Sequence, residues 1–104
     1  MTRKANAITE VVVYGVGKDV ENYFLDEDYG LNKVWFCDND NAKIGKSIYG
    51  NEIMPVEIAL TNDYDYVLIG SRKYYEEIES NLIEKHHVNH DRIESIDILR
   101  FRSI

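Results

Sequence analysis

Two short runs constrain this chain more than anything else in it: Val11-Val12-Val13-Tyr14-Gly15-Val16 and Tyr66-Val67-Leu68-Ile69-Gly70. Each is apolar at consecutive rather than alternate positions, so neither face of the strand is left for water. Strands of that kind belong to parallel sheets covered on both sides by helices. Apolar runs at Val34 to Cys37 and Ile93 to Ile98 supply further strands, and Ile53-Met54 reads as a short one.

The segments between these runs have helical character. Residues 19–27 place Val20, Tyr23, Phe24 and Leu25 on a narrow apolar stripe, making a strand–helix–strand unit with a right-handed crossover. After Asp38 the chain turns polar, through Asp38-Asn39-Asp40-Asn41 and Tyr49-Gly50-Asn51, until Pro55 opens a short helix carrying Val56, Ile58, Ala59 and Leu60. Ser71 is placed to cap a helix from Arg72 to about His86, with Tyr75, Ile78, Leu82 and the neighbouring Tyr74 and Ile83 buried. Alternation of this kind predicts one α/β domain over residues 1–104, with an N-terminal extension at 1–9 and a tail at 100–104. The expected sheet is parallel, of about five strands in the order 3-2-1-4-5.

Composition narrows the function classes. Charged residues make up 30% and hydrophobic ones 44%, a globular balance. There is no apolar run of roughly 20 residues to span a membrane and no secretory leader pattern, so a cytoplasmic address without membrane insertion is expected. A net charge of −7 argues against nucleic acid as partner, because phosphate neutralisation needs clustered Lys and Arg. With Cys37 as the one cysteine, no intrachain disulfide or cysteine-based zinc site can form.

The first strand runs into Gly15-Val16-Gly17-Lys18. In a dinucleotide-binding turn the first glycine permits the bend, the second lets the backbone approach a pyrophosphate, and the third allows helix and strand to pack closely. Gly15 and Gly17 suit the first two roles, but Val20 occupies the third position. Valine there is expected to hold the helix away from the strand or loosen the turn. About 20 residues further on, Asp38 ends the second strand, where an acidic residue can accept from ribose hydroxyls. An equal reading makes Asp38 the cap of its own turn. Across the crevice lies Gly70-Ser71-Arg72-Lys73, so Gly15, Gly17, Lys18, Gly70, Ser71 and Arg72 should meet at one site. The alternative for Arg72 is an ion pair with Glu76 one helical turn away.

The stretches "VVVYGVGKDVENYF", "VWFCDNDNAKIGKSIYGNEIMPVEIA" and "YDYVLIGSRKYYEEIESNLI" together resemble small Rossmann-like domains of bacterial surface-glycan enzymes. Such domains are attached to glycosyltransferases, sugar methyltransferases, nucleotide-sugar dehydratases and acetyltransferases. The resemblance implies a three-layer Rossmann-like fold that binds NAD or a nucleotide-sugar, and a partner transferase or a second copy of the chain. It also implies phosphate-loop roles for Gly15 and Gly17, an acidic role for Asp38, and a facing loop at Gly70-Ser71.

Catalytic groups are not apparent. Tyr29-Gly30-Leu31-Asn32-Lys33 has Tyr-x-x-x-Lys spacing but precedes a strand instead of following one. His86 and His90 stand one helical turn apart near an expected helix end, where the dipole alone favours histidine. Trp35 and the eight tyrosines read as sheet packing, with Tyr14 and Tyr49, near strand ends, left open as base-stacking rings. The expectation is a nucleotide or nucleotide-sugar binding domain of glycan biosynthesis without chemistry of its own. The alternative is a ligand-free interaction or oligomerisation module.

Overall fold

Val11, Val12 and Val13 are fully buried at the centre of a six-stranded sheet, and the rest of the fold is arranged around them. The computed structural model describes residues 9–24 and 29–101; most of the N-terminal extension, residues 25–27 of the first helical stripe and the end of the tail lie outside them. The strands are β1 (Glu10–Tyr14), β2 (Lys33–Cys37), β3 (Ser47–Ile48), β4 (Asn51–Met54), β5 (Tyr66–Ile69) and β6 (Ile93–Ser95). The helices are α1 (Lys18–Phe24), α2 (Val56–Ala59) and α3 (Tyr75–Glu84), with 3-10 turns at His90–Arg92 and Ile96–Phe101.

The sheet order is β3-β4-β2-β1-β5-β6, and β3 runs antiparallel to β4. This corrects the expected wholly parallel sheet of a three-layer Rossmann-like fold: the sheet is mixed and carries an extra edge strand. The cause is local. Tyr49 and Gly50 both adopt positive φ, 51° and 79°, as a two-residue hairpin turn of the primed type requires. Ile48 and Asn51 therefore pair directly. Tyrosine is an unusual residue for the first of those positions, and the usual Asn-Gly signal was absent.

The consecutive apolar residues of β1 serve two cores. Val11 and Val13 pack with Val20 and Tyr23 of α1, Phe36, Leu68 and the C-terminal 3-10 turn through Ile96 and Leu99. Val12 and Tyr14 pack on the opposite face with Val56 and Ala59 of α2 and with Ile78 and Leu82 of α3. The last expected strand is only three residues long, because from Ile96 the chain winds into the 3-10 turn that covers the first face. The start of α3 is also later than expected. Ser71 Oγ accepts from the Tyr74 amide at 3.1 Å, so the serine caps a turn before the helix, while Tyr74 and Ile83 stay exposed.

The close contact expected of a third glycine exists, but a different residue provides it. A Cβ placed on Gly70 would lie 2.3 Å from Val20 Cγ2 and 2.5 Å from the Gly15 carbonyl oxygen. Val20 is fully buried, and α1 approaches the sheet because the facing loop has no side chain there. The expectation that Val20 would push the helix away is thus corrected: the small residue sits on the other partner.

Candidate functional site

The carboxyl ends of β1, β2 and β5 open onto a cleft of about 570 Å³. That is within the roughly 300–1,000 Å³ of ordinary small-molecule sites. It lies where the chain leaves β1 for neighbours on either side, the usual position for a ligand in an open α/β sheet.

Gly15 makes the turn possible. Its φ is 96°, a conformation costly for any residue with a Cβ, and its amide donates to the Cys37 carbonyl at 3.0 Å. Gly17 is different. Its φ lies outside the left-handed region, and an added Cβ would meet nothing nearer than Lys43 Nζ at 3.9 Å. Its carbonyl accepts from the Glu21 amide at 3.1 Å, which makes Gly17 the N-cap of α1.

Asp38 is almost fully buried and serves the backbone with both oxygens. Oδ2 accepts from the Val16 amide at 2.8 Å and Oδ1 from the Asp40 amide at 2.9 Å, with Lys43 Nζ 3.7 Å from Oδ2. The carboxylate thus pins the glycine turn to the end of β2 and also closes its own turn. An ionised carboxylate has about four acceptor directions, so capacity for one further donor remains.

Of the residues expected at the site, Gly15, Gly17, Lys18, Asp38, Gly70 and Ser71 all line the cleft. Arg72 does not. Its guanidinium reaches Asp97 Oδ1 at 2.7 Å and Asp19 Oδ1 at 3.4 Å, in place of the expected pair with Glu76. Asp97 is a hub: it also accepts from the Tyr23 hydroxyl and from Ser95 Oγ, the latter at 3.2 Å. Burial raises its pKa, but the Tyr23 and Arg72 interactions outweigh that and hold the carboxyl below its ordinary value. Among the described residues the cleft cations are therefore Lys18, Lys43 and Lys73, set among the carboxylates Asp19, Asp38, Asp40 and Glu77.

Sequence reasoning also missed one wall. Tyr74, Glu77, Ile78 and Asn81 face the cleft from one stripe at the start and middle of α3. The signal was a polar Asn81 in line with the buried Ile78, a position that an apolar residue would fill if the stripe were only core. Tyr14, at the floor, accepts a hydrogen bond from Asn81 Nδ2 at 2.8 Å. Tyr49, the other ring near a strand end, instead donates to the Glu21 carbonyl at 2.8 Å.

Other sequence features resolve as structure. Cys37 is fully buried, and burial first, then the charges of Asp38 and Glu57, push its thiol far above the ordinary range. His90 Nε2 lies 3.6 Å from Glu79, and no group of His, Cys, Asp and Glu among the described residues is arranged to hold a metal. No helix among the described residues is long and apolar enough to cross a membrane.

The chain belongs to the C2185-like, N-terminal family, whose model matches residues 7–94. That description names neither an activity nor a ligand. No curated protein matches the chain.

Proposed function

We propose that this C2185-like domain binds a nucleotide or nucleotide-sugar, NAD or a UDP-sugar being the first candidates, in the cleft at the carboxyl ends of β1, β2 and β5. Its setting in surface-glycan biosynthesis follows from the motif resemblance alone. The protein holds the ligand and leaves chemistry to a partner enzyme.

The observation that carries this reading is Gly17. The fold has no use for a glycine there: φ is not left-handed and no neighbour crowds a Cβ. As an N-cap, Asp, Asn or Ser would serve the helix better. What glycine preserves is open backbone facing the cleft, where a phosphate can approach closely. Lys18, Lys43 and Lys73 border the same space, beside Asp19, Asp38, Asp40 and Glu77, and can reach a phosphate there.

A second reading has an observation of its own. Both oxygens of Asp38 already serve backbone amides, as a purely structural corner would require. In that case the domain is an interaction module with no nucleotide.

Thermal unfolding of the chain against NAD(H), NADP(H) and UDP-, GDP- and CDP-sugars separates the two. A ligand at 100 times its dissociation constant adds about 2.7 kcal/mol, a shift of several degrees in a domain this small. The Gly17→Asp variant keeps a good N-cap but fills the approach with a carboxylate. It should unfold within about 1 kcal/mol of wild type and lose the nucleotide-dependent shift. An unchanged shift in that variant would place the phosphate elsewhere. Flat curves for wild type at millimolar ligand would favour the interaction module.

A further inference from the structure

Deep in the cleft lies a polar pair for which the glycine turn has no need. Tyr14 is only 2% exposed, yet it lines the cleft together with its partner Asn81. A neutral phenol has one proton to donate, while a side-chain amide has one carbonyl and two N–H groups. With one Asn81 Nδ2 hydrogen donated to the Tyr14 oxygen, the phenol proton, the second amide N–H and the amide carbonyl are left without another side-chain partner among the described residues. Exchanging the amide oxygen and nitrogen swaps these roles and leaves the same offer: two donors beside an acceptor. Burial raises the Tyr14 pKa, against the opposing effect of the Asn81 bond, so the phenol keeps its proton at neutral pH.

A donor beside an acceptor is a poor partner for a phosphate, which presents only acceptors and negative charge, but it complements the edge of a heterocyclic base. The cleft has carboxylates on both sides, Asp19, Asp38 and Asp40 around the glycine turn and Glu77 beside the pair, whereas none of its lysines stands on α3. Glu77 stands on α3 between Tyr74 and Asn81, and its carboxylate disfavours phosphate at that end. The seven steps from Tyr74 to Asn81 span about 10 Å along α3, which sets Asn81 apart from Lys73 before the helix start.

We infer that Tyr14 and Asn81 read the hydrogen-bonding edge of a base, so that the nucleotide lies with its base along α3 and its phosphates toward Lys18 and Lys73. This rests on the nucleotide reading of the cleft and assigns the end of the cleft that discriminates between ligands.

The test is calorimetric titration of the wild-type chain and its Tyr14→Phe variant with UDP, ADP and inorganic pyrophosphate. Phenylalanine keeps the ring in the core and removes only the hydroxyl. The variant should bind the preferred nucleotide about tenfold more weakly, the loss of one ligand hydrogen bond, and pyrophosphate as wild type does. Asn81→Ala, at a half-buried position, should show the same split and serves as the second variant should Tyr14→Phe unfold. Nucleotide affinity unchanged in the variants, or nucleotide and pyrophosphate weakened equally, would overturn the inference while leaving the nucleotide site standing. Wild type binding pyrophosphate as tightly as the nucleotides would overturn it too. Wild type binding none of the three, with flat unfolding curves across the wider nucleotide and nucleotide-sugar panel, would remove the nucleotide reading and this inference together.

Discussion

A single carboxylate organises the backbone at each end of β1, and the two ends have opposite outcomes. At the amino end, Asp65 Oδ2 accepts from the Thr9 amide at 3.0 Å, the Thr9 hydroxyl at 2.9 Å and the Glu10 amide at 3.0 Å. Arg92 then closes over the same corner, its guanidinium donating to the Asp65 and Tyr64 carbonyls and lying 4.5 Å from the Tyr64 ring. At the carboxyl end, Asp38 divides its oxygens between the Val16 and Asp40 amides, and the turn it holds borders an open cleft. Similar chemistry makes a closed clamp in one place and a rim in the other. The difference lies in the neighbours: an arginine with backbone acceptors at the amino end, glycines and lysines at the carboxyl end.

The sharpest way to break this contrast is at the carboxyl end. Gly70→Ala puts a methyl group against Val20 and the Gly15 carbonyl, and should cost about 3 kcal/mol in urea unfolding. Adding Val20→Ala should restore only part of that, since the carbonyl contact persists.

At the amino end, Asp65→Ala leaves two amides and a hydroxyl without their acceptor and should cost about 1–2 kcal/mol at pH 7, in keeping with the corner's partial exposure. This loss depends on pH. Burial raises the Asp65 pKa, but the Thr9 and Glu10 bonds and the Arg92 charge outweigh it, so the folded value is below that of the unfolded chain. The carboxylate's contribution is therefore complete above about pH 4 and disappears as pH falls through the lowered folded value. Stability curves of wild type and variant should converge at acid pH.

A smaller change would strengthen the amino end. His87 has φ 56°, and the Val88 amide reaches back to the Leu82 carbonyl at 2.9 Å, a helix ending that glycine favours. His87→Gly should stabilise the domain by about 0.5–1 kcal/mol in the same unfolding assay. The smallest effect belongs to Gly17→Ser at the cleft, expected within about 0.5 kcal/mol of wild type because the position tolerates a Cβ and serine caps well. A large loss there would show that Gly17 is structural.

Much of the cleft was legible because glycine turns and strand ends are written in short, contiguous stretches. Six of the seven expected residues line it. Arg72 was misplaced because a long cation goes to its strongest partner, and Asp97 is 25 residues away in sequence. Asn81 and Tyr14 were missed as a pair because they are 67 residues apart, so that nothing local joined an open ring at the end of β1 to one polar residue on the α3 stripe. The mixed sheet was missed because a two-residue strand has no periodicity to read, and its turn lacked the customary Asn-Gly.

The local pattern of residues alone determined where β1, β2 and β5 run and that β1 would be buried on both faces, since burial imposes its apolar requirement residue by residue. It also located the bend at Gly15, where the chain needs a residue without Cβ. Only the tertiary structure decided that Gly70 accommodates Val20, that Asp38 holds Val16 while Asp97 takes Arg72, and that Tyr14 meets Asn81. Those outcomes depend on which side chains come within a few ångströms across the sheet, a distance that no local stretch of sequence specifies.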